Sequence, residues 1–472
     1  MNNILRAPIY QLYLFQAENY ESLRFIKLLF KKGFFAPKGE LRKSIVWTAK
    51  AALIAGISFT AAFLLIVFTT AVKGFLFGAI CAALSFLLLP FLYIIAALLL
   101  SPADFLLKGI LVSKAKKILA SSGAKVIGIA GSYGKTTMKS ALFAVLSKRY
   151  KTMATPESVN TPVGIARWII AHANNLPQIF VIEMGEHYKG DIKYLSSFVY
   201  PDIAVITGIN EAHMERMGNI QNIIATIFEI TGALKKDALI VLNADDQNIS
   251  LNYDKFTKGV KTEFYSSGND EKSYLKIKSK GFDEQKGAWN VEFENGYRLN
   301  ISLLGEYAIG DAMAAIIVSK NLGMTDEEIK KGVSDIVSVE HRLQLIKGAG
   351  DTLVIDDSYN GNPDGVSEAI RTLQRFNGRR KIFLTPGLVE TGKFSEDIHR
   401  RIGKELAGAA DLVILIRNSV TPYIAEGLLD ADFDDNKIKW FETAPDAHGA
   451  LSSIVKPGDV ILFQNDWGDQ YL

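Results

Sequence analysis

Hydrophobic and polar positions fall into two regimes along this chain. From Ala51 to Val72, and again from Gly74 to Ala103, the sequence is apolar and uncharged, with Lys73 alone between the two stretches. At about 1.5 Å per residue, each stretch is long enough as a helix to cross a hydrocarbon layer of about 30 Å. A buried soluble helix rarely stays uncharged for so long, so residues 44–110 read as a transmembrane hairpin. Arg42, Lys43 and Lys50 precede it and Lys108, Lys114, Lys116 and Lys117 follow it. By the positive-inside rule both ends, and everything after Leu107, then face the cytoplasm. The expectation is a two-span protein of the inner (cytoplasmic) membrane with the lipid bilayer as a partner. Residues 1–43 form a leader in which Tyr10, Tyr13, Phe15, Tyr20, Phe25 and Phe30 alternate with Arg24, Lys27, Lys31 and Lys32. It reads equally as an amphipathic helix lying on the membrane or as a solvated helix packed on the rest of the protein.

Beyond residue 110 the pattern changes to short apolar runs alternating with helix-compatible segments. Val126–Ala130, Ile179–Ile182, Ile203–Thr207 and Ala238–Leu242 predict strands, and Met138–Ser147, Gly190–Phe198 and Asn219–Leu234 predict helices. That alternation predicts a parallel sheet covered by helices, a central α/β domain over 111–334. Between Asp246 and Leu303 the chain becomes β-rich and charged, as an insertion or edge region would. From Asp351 the alternation resumes, with strands at Thr352–Ile355, Lys381–Thr385, Leu412–Ile416 and Val460–Phe463 and helices at Gly365–Phe376 and Ser395–Ala407. Residues 335–472 therefore read as a Rossmann-like C-terminal domain. It carries no Gly-x-Gly-x-x-Gly, so a dinucleotide is not indicated.

Composition narrows this picture only a little. The length of 472 residues allows two to four units at roughly 150 residues each. A formal charge of +3 gives no argument for nucleic acid as a partner. The single cysteine, Cys81, rules out a disulfide framework within one chain.

The candidate chemistry begins where the first strand ends. Lys125 to Thr137 reads Lys-Val-Ile-Gly-Ile-Ala-Gly-Ser-Tyr-Gly-Lys-Thr-Thr, a strand, a glycine-flanked loop and the start of a helix. Glycines allow backbone N–H groups of Gly131, Ser132, Tyr133 and Gly134 to approach phosphate oxygens, and Lys135 meets the terminal phosphates. The hydroxyl of Thr136 reaches Mg2+, Thr137 follows it, and the helix N-terminus adds its positive end. Ile129 stands where the longer phosphate-loop spacing has glycine, so the match is to the shorter Gly-x-x-Gly-Lys-Thr-Thr. A plain Gly/Ser turn is the competing reading. Glu183 ends the next strand, and Asn210 and His213 follow another, so a carboxylate and an imidazole could hold Mg2+ beside the phosphates. Asp356, Asp357, Tyr359 and Asn360 follow a later strand end, where either a cleft-facing site or an Asx turn fits.

The order of further motifs makes the reading specific. Gly131–Thr137, Thr155-Pro-Glu-Ser-Val-Asn-Thr-Pro-Val-Gly164, Glu183-Met-Gly185 with Gly190-Asp-Ile192, and Asn210-Glu-Ala-His213 resemble the Mur ligase family. Asn243-Ala-Asp-Asp246, Leu304-Gly305, His341-Arg-Leu343, Asp356–Asn360 and Thr385–Gly392 continue the likeness over roughly residues 120–465. The resemblance implies an ATP-dependent carboxylate–amine ligase of cell-wall peptidoglycan synthesis. A muropeptide or other carboxylate acceptor would form an acyl phosphate, and an amino acid or dipeptide such as D-Ala-D-Ala would displace phosphate. It assigns Lys135, His213 and Arg342 to catalysis, Arg342, Asp357 and Asp311 to ATP, and Thr136 and Glu183 to a first Mg2+. His213 would serve a second, and Asn160, Thr161, Tyr359 and Asn360 would face substrate.

Three departures qualify that assignment. The family's carbamylated lysine falls on Ile227. Gly-x-His-Asn-x-x-Asn appears as Gly305-Glu-Tyr-Ala-Ile-Gly-Asp311, which offers an acceptor where an amide would offer both roles. The hairpin stands where the family has a UDP-sugar-binding domain. The rival readings are a Mur-like ligase for another polymer and an inactive ATP-binding membrane scaffold.

Overall fold

The structure is a computed structural model that describes residues 2–35, 45–157, 159–211, 214–359, 361–389 and 391–466. His213 and Asn360 lie outside the described residues. The chain divides between Ile110 and Leu111 into a helical unit and an α/β unit.

In the helical unit the leader forms two helices, Asn2–Ala17 and Ser22–Lys32. The apolar stretches form the helix Ala49–Lys73 and most of a long helix, Phe75–Ser122, that contains Pro90 and Pro102. Aromatic and aliphatic side chains of the leader, Leu12, Leu14, Phe15 and Phe25, close a core with Ile54, Tyr93 and Ala96 of the long helices. Tyr93 donates its hydroxyl proton to the Pro8 carbonyl at 3.0 Å, which satisfies the polar end of a ring otherwise packed among apolar groups.

The α/β unit contains two six-stranded sheets and a small third one. The first is built from β1 (Lys125–Ala130), β2 (Thr152–Ala154), β3 (Ile179–Glu183), β4 (Ile203–Ile206), β5 (Leu239–Asn243) and β6 (Lys261–Tyr265). Its order is β2-β3-β1-β4-β5-β6 and every pairing is parallel. Parallel strands covered on both faces must be apolar on both, and β1, β3 and β4 are buried along nearly their whole length. The region read as an insertion resolves into two things. Strand β6 extends the parallel sheet, and β7 (Ile277–Asp283), β8 (Ala288–Phe293) and β9 (Arg298–Ile301) make an antiparallel sheet whose Trp289, Val291 and Phe293 join the central core.

The second large sheet comprises β10 (Gln344–Lys347), β11 (Leu353–Asp357), β12 (Lys381–Thr385), β13 (Leu412–Ile416), β14 (Ile438–Phe441) and β15 (Val460–Gln464). Its order is β10-β11-β15-β12-β13-β14, parallel except for β10, which runs antiparallel along the edge. The helix Lys135–Leu146 follows β1 directly and buries Met138, Ala141, Leu142 and Val145 in the central core. That i, i+3, i+4, i+7 spacing is one helical face. It fixes the helix against the sheet and so aims its N-terminus across the carboxyl ends of the strands.

Candidate functional site

The loop between β1 and its helix is shaped by two glycines. Gly131 has φ of +150°, and a Cβ there would lie 2.2 Å from Thr207 Oγ1 and 3.1 Å from the Gly208 backbone. Gly134 has φ of +77° in the left-handed region immediately before the helix. Only glycine meets both requirements without strain. The loop is tied to the end of β4: Ser132 N–H donates to Gly208 O at 2.7 Å, and Thr207 donates to the Tyr133 carbonyl. Tyr133 donates to Asp246 at 3.0 Å, and the Asp246 carboxylate also accepts from Ile209 N–H at 2.7 Å. Burial raises the Asp246 carboxyl even against those backbone donors.

Two buried ion pairs line the loop. Lys135 Nζ lies 2.9 Å from Glu186 Oε2, and Lys139 Nζ lies 2.9 Å from Glu183 Oε2. Thr136 Oγ1 donates to Glu183 at 3.2 Å and Asn160 Nδ2 reaches its other oxygen at 3.4 Å. Burial by itself would raise Glu183, but the Lys139 ammonium, with Lys135 and the Thr136 hydroxyl, outweighs it and holds the carboxyl below its usual range. Thr161 caps the helix Pro162–Ala171, its Oγ1 accepting from Gly164 N–H. Neither Glu186 nor Lys139 was singled out from the sequence. Lys139 carried a signal, since it stands four residues after Lys135 and shares its helix face; Glu186 carried only its place in the loop after β3.

The second large sheet faces this loop with its own strand end. Asp357 closes β11, and its Oδ1 accepts from Leu343 N–H at 3.2 Å. Burial pushes the Asp357 carboxyl up to about 7, against the Leu343 N–H and the Arg342 charge. The Arg342 guanidinium sits 4.5 Å over the Tyr359 ring. The segment His341-Arg342-Leu343 is bent sharply, with φ of +61° at His341 and +43° at Leu343, a conformation costing about 1–3 kcal/mol per residue. It is held by His341 against Asp356 at 2.7 Å and by Tyr359 N–H on His341 O. Across the gap Asn210 Nδ2 bonds Asn362 at 3.0 Å and Asp364 at 2.7 Å.

Two adjoining cavities result. One of about 470 Å³ is lined by Tyr133, Thr137, Tyr307, Asp311, Arg342 and Asp357. The other, of about 310 Å³, is lined by Lys135, Asn160, Glu183, His187, Arg342 and Tyr359. The structure therefore brings the phosphate loop, Glu183, Arg342, Asp357 and Asp311 to one cleft. Asp311 is buried with Oδ2 unbonded, and burial raises its carboxyl to about 8, the nearby Thr137 opposing the rise only weakly. Ile227 is fully buried in the hydrocarbon core beside Ile230 and Phe228 and offers no ligand. Among the described residues, no cluster of three or more His, Cys, Asp or Glu side chains is disposed to hold a metal.

A parallel sheet ending in a glycine-rich lysine loop, faced by a second α/β sheet across a cleft, defines a P-loop nucleotide-dependent enzyme. Known proteins make the class definite. The Mur ligase middle domain matches residues 129–319 and the Mur ligase glutamate ligase domain matches residues 341–464. The UDP-N-acetylmuramoyl-tripeptide--D-alanyl-D-alanine ligase of Bacillus subtilis is 30% identical over 359 residues, 75% of this chain and 76% of that protein. The Escherichia coli enzyme of that name is 28% identical over 61% of this chain, which spans 63% of it. The crystal structure of MurF ligase from Thermotoga maritima in complex with ADP superposes with a TM-score of 0.66 at 25% identity, covering 76% of this chain and 80% of that one. MurF from Acinetobacter baumannii shares the fold with a TM-score of 0.68 at 23% identity, covering 77% of this chain and 78% of that one. The chain belongs to the Mur ligase family, the ATP-dependent ligases that join a carboxylate to an amine.

The membrane location expected from the sequence is corrected by the same findings. The matched relatives are soluble cytoplasmic enzymes. The two long helices qualify as spans by length and composition only, a test that core helices of soluble proteins also pass. Part of their apolar surface is accounted for by the core they share with Phe15 and Phe25. The two-span anchor is therefore set aside.

Proposed function

We propose that this protein uses ATP to join an amine, D-Ala-D-Ala or a similar dipeptide or amino acid, to the carboxylate of a muropeptide. The acceptor carboxylate attacks the γ-phosphate, an acyl phosphate forms, and the amine displaces phosphate to give the amide. The observation that carries this reading is the pair of adjoining cavities that meet at Arg342, one lined by Lys135 and Glu183 and the other by Asp311 and Asp357, within a chain of this family. Lys135 and the loop N–H groups hold the transferring phosphoryl group, since phosphoryl transfer is mostly positioning and charge neutralisation. Arg342 lines both cavities and so reaches the phosphates from the opposite wall. Asp357 and Asp311, with Tyr133 and Thr137, serve the nucleoside side.

The donor set fits one Mg2+ at Thr136 and Glu183, a hydroxyl and an ionised carboxylate 3.2 Å apart, oxygen ligands of the kind the ion requires. Bound there, the ion supplies charge neutralisation for the phosphates. For a second ion Ile227 gives nothing, which leaves His213 as its candidate. Asn160, Thr161, Tyr359 and Asn360 remain the acceptor-side candidates, Thr161 through the helix end it caps.

The test is mass spectrometry of products from purified protein, ATP, Mg2+ and a panel of muropeptides with D-Ala-D-Ala. An amide product with matched phosphate release is expected. ATP binding with no amine-stimulated phosphate release from any acceptor would instead favour an inactive nucleotide-binding protein.

A further inference from the structure

A carboxylate that no role above uses stands inside the phosphate loop. Glu186 lies in the turn after β3, three residues beyond Glu183, and its side chain is 1% exposed. Both of its oxygens lie within hydrogen-bond distance of Lys135 Nζ, at 2.9 and 3.1 Å. Lys135 is itself nearly buried, at 12%, and its other contact is its own loop's Gly131 carbonyl. The neighbouring carboxylate, Glu183, has its direct contacts with Lys139 and Thr136 and feels Lys135 only through space. The ammonium that a triphosphate needs is thus already neutralised by a buried anion.

Such a pair has a defined consequence. A buried charge whose partner is taken away is strongly destabilised, so Lys135 cannot turn to a phosphate without an exchange of anions. We propose that Glu186 is a positioning residue that stands in for the terminal phosphate, holding the Lys135 ammonium in the loop and surrendering it when ATP arrives. Nucleotide affinity then reflects the difference between two anions rather than the full attraction of lysine for phosphate. The exchange concerns only phosphates that reach Lys135, so AMP lies outside it.

This inference rests on the nucleotide site proposed above, and calorimetric titration of the full chain in magnesium buffer separates the two. In Glu186→Gln the amide keeps the shape and removes the charge. Its affinity for ATP and for a non-hydrolysable analogue is expected to rise at least about tenfold, since a close, desolvated charge pair couples by more than that. Its affinity for AMP stays unchanged. In a Lys135→Ala background the same substitution is expected to give no gain. ATP binding that Glu186→Gln leaves unchanged or weakens, or a gain that persists without Lys135, overturns the stand-in role. Absence of ATP binding by the wild type overturns the nucleotide site itself. If Glu186→Gln does not fold, Glu186→Asp, one methylene too short to keep both contacts, is expected to tighten ATP by about threefold, by the same coupling. Equal or weaker binding by that variant overturns the proposal in turn.

Discussion

The two large sheets solve the same problem with different means. Each has six strands and each delivers its polar residues at carboxyl ends, where open α/β sheets gather ligands. The central sheet is parallel throughout and surrounds its loop with fixed charge: two lysines, two carboxylates and a helix N-terminus, all nearly buried. The second sheet, with its antiparallel edge strand, contributes a guanidinium on a bent segment and a carboxyl pushed toward neutrality. The first arrangement suits a polyanion that must be bound in one place. The second suits groups that adjust as a reacting centre forms between them. Under the proposed function, the central half would supply the phosphate grip and the other half its opposite wall.

If that division holds, the largest effect belongs to the central loop. Lys135→Ala is expected to lower amine-dependent phosphate release by about 10²–10³-fold or more, the scale for removing one donor to transition-state charge. Release within tenfold of wild type would place phosphoryl transfer elsewhere. Arg342→Ala should cost about tenfold to a hundredfold, as loss of a hydrogen bond to a charged group does. Arg342→Lys should restore part of this, since charge returns without the planar fork. Equal losses for Lys135 and Arg342 would erase the distinction between the halves.

A smaller effect tests the floor of the larger cavity. Tyr265 and Tyr307 face Asp311 there, while the Thr137 hydroxyl donates to the Gly134 carbonyl. Its carboxyl titrates near the usual 3.8 when the chain is unfolded and near about 8 when folded. The folded state therefore holds the extra proton between those values, and stability declines as pH rises through that window. Asp311→Asn removes the titration, so its melting temperature should exceed that of wild type at pH 8 by roughly 2–4 °C or more, on the scale of 1 kcal/mol in a chain of this kind. The two should converge near pH 4. Parallel melting curves across that range would show that Asp311 is not held neutral. The smallest effect should come from Asn210→Ala, which removes the bonds to Asn362 and Asp364 and should cost about 0.5–1.5 kcal/mol in chemical denaturation.

How much of this could be read from residues alone depended on distance along the chain. The loop Gly131–Thr137 was legible because strand, glycines, lysine and helix are contiguous and each has a local cause. Strands such as Lys381–Thr385 and Leu412–Ile416 were legible because buried parallel strands are short apolar runs. The pairing of Lys135 with Glu186 was not, since 51 residues separate them and neither marks the other. The region 246–303 was legible only as β-rich, because whether β6 joins a parallel sheet is decided by its neighbour β5 and not by its own pattern. The long apolar helices misled for the opposite reason: length and hydropathy are local and pass the same test in spans and in core helices, whereas the packing of a minor part of their surface, against Phe15 and Phe25, is set by the leader.

The bridge from Asn210 to Asn362 and Asp364 sets a toll on occupancy. It latches the rims of the two sheets together across the cleft before any ligand is present. A nucleotide or peptide too large to slip past would have to find the fraction of molecules in which the latch is undone. Its apparent affinity is then the intrinsic one scaled by that fraction, and whichever ligand arrives first spares the next that loss. Positive cooperativity between the substrates would follow from two asparagines and an aspartate, without any of them touching the reacting atoms.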